Sequence, residues 1–421
     1  MFKKTVLPNK LRIITAPMNG TNTVTVLVMC NTGSDNETEK ERGISHFLEH
    51  MFFKGTKNRP NPQIIKHELD GMGCAFNAFT SHEYTGYFIK AGHVHLDRAL
   101  EILSDVYSNS LLSPEEIERE RQVIIEEKHM NDDDPQSQVW RAYVNIMYGN
   151  QHAGWDVIGT EAHIKAFTPE QFSDYFKKQY TSKNTTVIVA GNINEKKTIT
   201  TVKKLFGSVR SGNPRPKFPF SVQQSKPAIK TVFKETDQSH IIVGFHAPDA
   251  FSKDRHAADM LATILGGNQS SRMWDTIRDT MGLAYSVFTM TDMSSNRGFL
   301  ATYAGVAHNN LEKTLKAIRD EYVKIVEKGV TEQELARAKE YTRGHMLIGL
   351  ESSNAVASFI GVEEAVTGKP MTVDEVFKEM NRVTAQDVQK IAQKIITGKG
   401  LNAAILGPHK NASAFQKALT L

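Results

Sequence analysis

The chain is written twice. Residues 23–29, TVTVLVM, are a strand-like β-branched run, and HIIVGFH at 240–246 is its counterpart about 216 positions later. The stretch LDRALEILSDVYSNSLLSPEEIERER from Leu96 lines up with LEKTLKAIRDEYVKIVEKGVTEQELARAK from Leu311. Both read as an amphipathic helix, a short connection and a second helix opened by a capping box, Ser113 with Glu116 and then Thr331 with Glu334. Near the end of each half a further capped helix precedes a last strand: Thr168 leads to TTVIVAGNI, and Thr384 to LNAAILGP. A nearly constant offset through four pairs of elements is the mark of a duplicated α+β domain. The predicted fold is therefore α+β, with two tandem homologous domains at 1–206 and 228–421. Each is a mixed sheet covered by helices, with the helices expected on one face. Between them, GSVRSGNPRPKFPFSVQQSKP at 207–227 holds four prolines and little periodicity, and reads as an extended linker.

Composition narrows the partners. A hydrophobic content of 40% with 23% charged residues suits a globular protein with a sizeable core, and 421 residues exceed one ordinary core. The net charge of +4 is spread over 51 basic and 47 acidic residues without a dense basic stripe, which argues against nucleic acid. The N-terminal MFKKTVLPNKLRIITAP lacks the apolar core of a secretory signal, and no apolar run reaches membrane-spanning length. Cys30 and Cys74 form neither a disulfide framework nor a CxxC pattern. A soluble, cytoplasmic protein with free thiols is expected.

The segment GISHFLEHMFFKGT, residues 43–56, sets a chemical problem. Ile44, Phe47, Leu48, Met51, Phe52 and Phe53 would bury a short helix, yet His46, Glu49 and His50 go in with them. Burying ionisable groups costs several kcal/mol unless something compensates, so a partner is required. On a helix His46 and His50 are four apart and share a face, close enough to grip one metal ion, with Glu49 beside that face. This is the H-x-x-E-H order of inverted zinc peptidases. A catalytic zinc needs three protein ligands and an open position, so a third ligand must lie elsewhere.

The helix after Ser113 offers it. In SPEEIERERQVIIEEKHM, Ile117, Glu120, Ile124 and Glu127 fall on a single stripe, so two carboxylates share the inward face with two isoleucines. Glu127 is the expected third ligand, and Glu120, two turns earlier, an outer carboxylate able to orient a ligating histidine. Glu126, about 100° round the helix, should face away. His129 and the run Asp132–Asp134 read as a solvated helix end.

HFLEH followed by the Glu120-to-Glu127 pair, together with MFFKGTKNRP, FNAFTSHEYTGYF and IERERQVIIEE, resembles the pitrilysin/insulinase family of zinc metallopeptidases. The subgroup it looks like is that of the mitochondrial processing peptidase and its bacterial single-module relatives, and the resemblance covers nearly the whole chain. It implies one Zn²⁺ per chain on His46, His50 and Glu127, with Glu49 as general base. It also implies that an extended peptide adds as a strand along the edge FNAFTS, with Asn77 and Ala78 as backbone contacts. Strand addition suits an enzyme taking varied sequences, because main-chain hydrogen bonds do not read side chains.

In the second half, LATILGG stands where the first has its metal motif and carries neither histidine nor glutamate, so no zinc is expected there. Arg278 and Tyr285 resemble the family's Arg/Tyr pair that holds the substrate carbonyl, and Gly266 and Gly267 its glycine-rich loop. Without the resemblance, Arg278 reads as a surface arginine and Tyr285 as a half-buried tyrosine. The resemblance further implies a clamshell-type homodimer in which each chain's Arg278 and Tyr285 complete the partner's zinc site. The function expected is zinc-dependent endopeptidase action on extended peptides inside a closed chamber. The alternative is a non-catalytic, structural or chaperone-like subunit of the same fold, which would need none of His46, Glu49, His50 and Glu127.

Overall fold

The computed structural model describes residues 2–420. One mixed sheet holds β1 (Lys3–Val6), β2 (Arg12–Pro17), β3 (Thr23–Cys30), β4 (Ala75–Thr80), β5 (Thr85–Gly92) and β6 (Thr185–Gly191), in the order β1-β2-β6-β3-β5-β4. A second holds β7 (Ala228–Phe233), β8 (Ser239–Ala247), β9 (Ala284–Met293), β10 (Gly298–Val306) and β11 (Asn402–Gly407), in the order β7-β11-β8-β10-β9. The repeat is visible in the pairing. In each sheet a single parallel pair, β2 with β6 and β7 with β11, adjoins an antiparallel ladder that ends on an edge strand, β4 or β9. The expected α+β duplication is thus present in the topology.

Helical cover differs from the expectation. Every residue of β6, β10 and β11 is buried, so these central strands present two apolar faces and each sheet must be covered twice. In the first unit one face packs against α1 (Ile44–Met51), α2 (Pro62–Gly71), α3 (Leu96–Asn109) and α4 (Pro114–Asp133), through Phe47, Leu69, Leu103 and Ile124 among others. Its other face is covered by the helix Ser353–Thr367 from the second half of the sequence, whose Ala357 and Ile360 meet Ile14, Leu27 and Ile188. A Cβ on Gly361 of that helix would lie 3.0 Å from the Leu27 side chain, so the approach is close.

The second sheet receives the reciprocal loan. Helix α5 (Pro135–Tyr148), from the first half, packs Val139, Ala142 and Tyr143 against Ile242, Ala301 and Leu406. The compact units are consequently 1–128, 155–218 and 347–372 on one side, and 129–154, 219–346 and 373–421 on the other. A linear cut at 206 and 228 does not describe them, because amphipathic periodicity reveals that a helix has an apolar face but not which sheet receives it.

The linker expected at 207–227 contains no helix or strand after its first turn, but it is strapped down at its first half. Gln179 Oε1 accepts the Arg215 N–H at 2.8 Å, the Arg215 guanidinium donates to Asn36 O and Glu41, Lys217 pairs with Glu83 at 2.7 Å, and the Phe218 N–H meets Asp35 O at 2.9 Å. Cys30 and Cys74 are free thiols, and burial pushes Cys30 up to about 12. No helix among the described residues is long and apolar enough to cross a membrane.

Candidate metal centre

Helix α1 starts at Gly43, which adopts φ 94° while the place of its missing Cβ lies 2.5 Å from Ile158 O; only glycine fits. With no side chain there to cap the helix, the Glu37 carboxylate does so from outside, accepting the N–H groups of Gly43 and Ser45 at 2.8 Å each. Glu37 is fully buried, and that burial pushes its carboxyl up to about 7 despite these donors. Ile44, Phe47, Leu48 and Met51 anchor the helix in the core, which leaves His46, Glu49 and His50 together on its half-buried side.

Helix α4 brings the carboxylates as its stripe predicts. Ile117, Glu120 and Ile124 are buried, Glu127 is half-buried and Glu126 is exposed. Glu127 reaches both imidazoles: His46 Nε2 lies 3.5 Å from its Oε1, and His50 Nε2 lies 3.3 Å from its Oε2. Glu120 Oε1 stands 3.0 Å from His50 Nδ1, on the far side of the ring, and Glu120 Oε2 forms an ion pair with Lys54. Glu49 does not join the cluster. Its Oε2 accepts a 2.5 Å hydrogen bond from Thr80 Oγ1, at the end of the edge strand β4.

The electrostatics are those of a cation site. Burial alone would lower the His50 imidazole, but Glu120 and Glu127 outweigh it and raise it to about 9. Hydrogen bonds to His46 and His50 hold the Glu127 carboxyl well below the usual range. Among the described residues, His46, His50 and Glu127 are the one group of three histidine, cysteine or acidic side chains whose ligand atoms all lie within 4.8 Å of one another. Separations of 3.3 and 3.5 Å are close to the edge of a tetrahedron with bonds of about 2.0–2.1 Å, and two imidazoles plus a carboxylate are zinc-type donors. The residues therefore fit the metal.

Two family models match. Residues 12–161 match insulinase (peptidase family M16), and residues 166–341 match the peptidase M16 inactive domain. The chain is 33% identical over 416 residues to an uncharacterized zinc protease of Bacillus subtilis, covering 98% of this chain and 99% of that one. It is 31% identical over 418 residues to an uncharacterized zinc protease of Streptomyces coelicolor, covering 98% and 91%. The chain belongs to the insulinase (M16) family. Solved structures share its fold: a protease from Helicobacter pylori superposes with a TM-score of 0.89 at 24% identity, covering 97% of this M16 chain and 99% of that one. A peptidase M16 inactive domain from Pseudomonas fluorescens gives 0.90 at 15%.

Within this M16 chain the remaining expected residues fall into place unevenly. Asn77 and Ala78 lie on β4, the sheet edge, and the Ala78 N–H is occupied by the Asn77 side-chain oxygen at 2.9 Å. In the second unit Arg278 donates to Tyr285 O at 2.9 Å, with its guanidinium 4.1 Å from the Trp274 ring centre and 5.0 Å from that of Tyr285. Tyr285 is 79% exposed, whereas Arg278 is partly covered, the reverse of what the two residues suggest without the family. Glu37, Lys54 and Thr80 went unremarked in the sequence. Each acts on residues six or more positions away, with no local motif to announce it.

Proposed function

We propose that this M16 chain is a zinc endopeptidase that hydrolyses peptide bonds in extended or unfolded segments bound as an added strand on β4. The observation that carries the reading is the His46, His50 and Glu127 cluster with Glu49 beside it and outside the ligand set. One zinc ion per chain, held by His46 Nε2, His50 Nε2 and the Glu127 carboxylate, supplies Lewis acidity that makes water acidic and polarises a carbonyl.

The protein's own groups do the rest. Glu49, steadied by Thr80, takes the proton of the attacking water and hands it to the leaving amine. The strand β4 ends at Thr80, so a peptide laid along it is carried toward Glu49 in a register set by main-chain hydrogen bonds. Asn77 swings its oxygen off the Ala78 N–H as the substrate carbonyl arrives. Tyr285 and Arg278 donate to the developing oxyanion, Tyr285 from an exposed phenol and Arg278 from its seat on Trp274. They act in trans, within a homodimer that closes over the peptide.

The metal assignment is tested by titrating the chelator-stripped full chain with zinc. One equivalent is expected per chain, and Glu127→Gln should lose tight binding and peptidase activity together. A wild-type chain that binds no zinc, or a Glu127→Gln chain that binds as tightly, would overturn the assignment.

A further inference from the structure

The two histidines of the cluster are anchored unequally. His50 has Glu120 on its Nδ1 at 3.0 Å, whereas His46 Nδ1 is buried without a hydrogen-bond partner among the described residues. On the side of the His50 ring away from Glu127, the contact that can orient it is Glu120. This carboxylate is 5% exposed, and each oxygen has one partner, His50 on Oε1 and the Lys54 ammonium on Oε2. A carboxylate held at one oxygen can still rotate about its side-chain torsions; one held at both cannot.

The main chain that carries Lys54 is held by a series of hydrogen bonds. The Lys54 N–H donates to Met51 O at 3.1 Å, just past the end of α1, and the loop that Lys54 opens is folded back on itself. Gly55 turns at φ 127°, where a Cβ would lie 2.9 Å from Pro60 O. The Thr56 N–H meets Arg59 O at 2.8 Å, and the Lys57 and Leu111 N–H groups tie the loop to the end of α3 at 3.1 and 3.0 Å. At the base, the buried Arg59 guanidinium bonds Asp105 and Glu68 at 2.7 Å each. The loop is braced on both sides, and Lys54 stands at its start, just after α1.

We propose that Lys54 is a positioning residue of the metal centre, pinning Glu120 in the rotamer that presents His50 Nε2 to the zinc. The inference rests on the metal assignment above and adds a residue to it. It also predicts a sign. A lysine acting only as a nearby positive charge would repel a dication, so its removal would tighten zinc binding; a positioning lysine does the opposite.

The test is the zinc dissociation constant of the full chain, read by competition with a chromophoric chelator. Lys54→Met is expected to weaken zinc binding, by less than the roughly 10- to 100-fold that losing a ligand's own outer partner, here Glu120, usually costs, while Lys54→Arg retains most of the affinity. In a Glu120→Ala background, Lys54→Met should add nothing further, because its path is already cut. Circular dichroism of the metal-free variants checks that the fold is common to all. Equal or tighter binding by Lys54→Met, or an undiminished loss in the Glu120→Ala background, would overturn the proposal while leaving the metal site standing. A wild-type chain that takes no zinc would bring down the metal assignment and this inference with it.

Discussion

At the scale of the residue, the site divides into what one helix can encode and what several elements must assemble. His46, Glu49 and His50 were legible because they sit four positions or fewer apart in an otherwise apolar helix, and Glu120 and Glu127 because they interrupt a stripe of isoleucines on α4. Nothing local marks Thr80, which comes from 31 positions away to hold Glu49. A hydrogen bond to a charged group contributes about 1.5–3 kcal/mol, so Thr80→Val should lower kcat at least about tenfold by freeing the Glu49 carboxylate. Zinc content and KM should change little, and Thr80→Ser should retain most of the rate. Steady-state kinetics on a fluorogenic peptide decide the matter; a Thr80→Val enzyme turning over at the wild-type rate would remove Thr80 from the account. Glu37 was invisible for the same reason, since it caps α1 across a loop rather than from the N-cap position.

At the scale of the element, capping boxes announced the helices well. Thr331 and Glu334 bond each other's main chain at 2.8 and 3.1 Å, and Thr384 with Asp387 does likewise at 3.0 and 3.2 Å. Glu334 carries more than its cap. Burial pushes its carboxyl up, but Arg272, bonding it at 2.7 and 3.0 Å, and Thr331 outweigh this and hold it at about 2. A carboxyl depressed in the native state stabilises the fold above its ordinary value of 4.5, and this contribution fades as pH falls toward 2. The metal-free wild type should therefore lose about 2 kcal/mol more than Glu334→Gln across that interval, read from urea midpoints. Parallel acid limbs in the two proteins would contradict it. What no cap or periodicity could show is the exchange of α5 and the helix Ser353–Thr367 between the sheets, because an apolar stripe is indifferent to which buried strand it covers. The two-sided burial was nonetheless foreshadowed by TTVIVAG and LNAAILG, runs too continuously apolar for a sheet with one wet face.

At the scale of the whole molecule, the two repeats share a topology but not their chemical groups. The first unit carries the metal cluster and Glu49; the second has Arg278 and Tyr285 on and beside its own edge strand β9 and no metal cluster among the described residues. If these duties meet across a homodimer, chains of Glu49→Gln and Tyr285→Phe, each nearly inactive alone, should recover activity on mixing toward one working site per mixed dimer. With subunit exchange demonstrated, no recovery would mean that each site is completed within one chain. More basic than the assembly is the proposal that this site cleaves peptide bonds. It is tested most directly by incubating the zinc-loaded full chain with an unstructured quenched-fluorescent peptide beside Glu49→Gln loaded to the same zinc content. Cleavage by the wild type with Glu49→Gln silent, a loss of several powers of ten, is the predicted result. Equal cleavage by both, or silence from both with zinc bound, would contradict it.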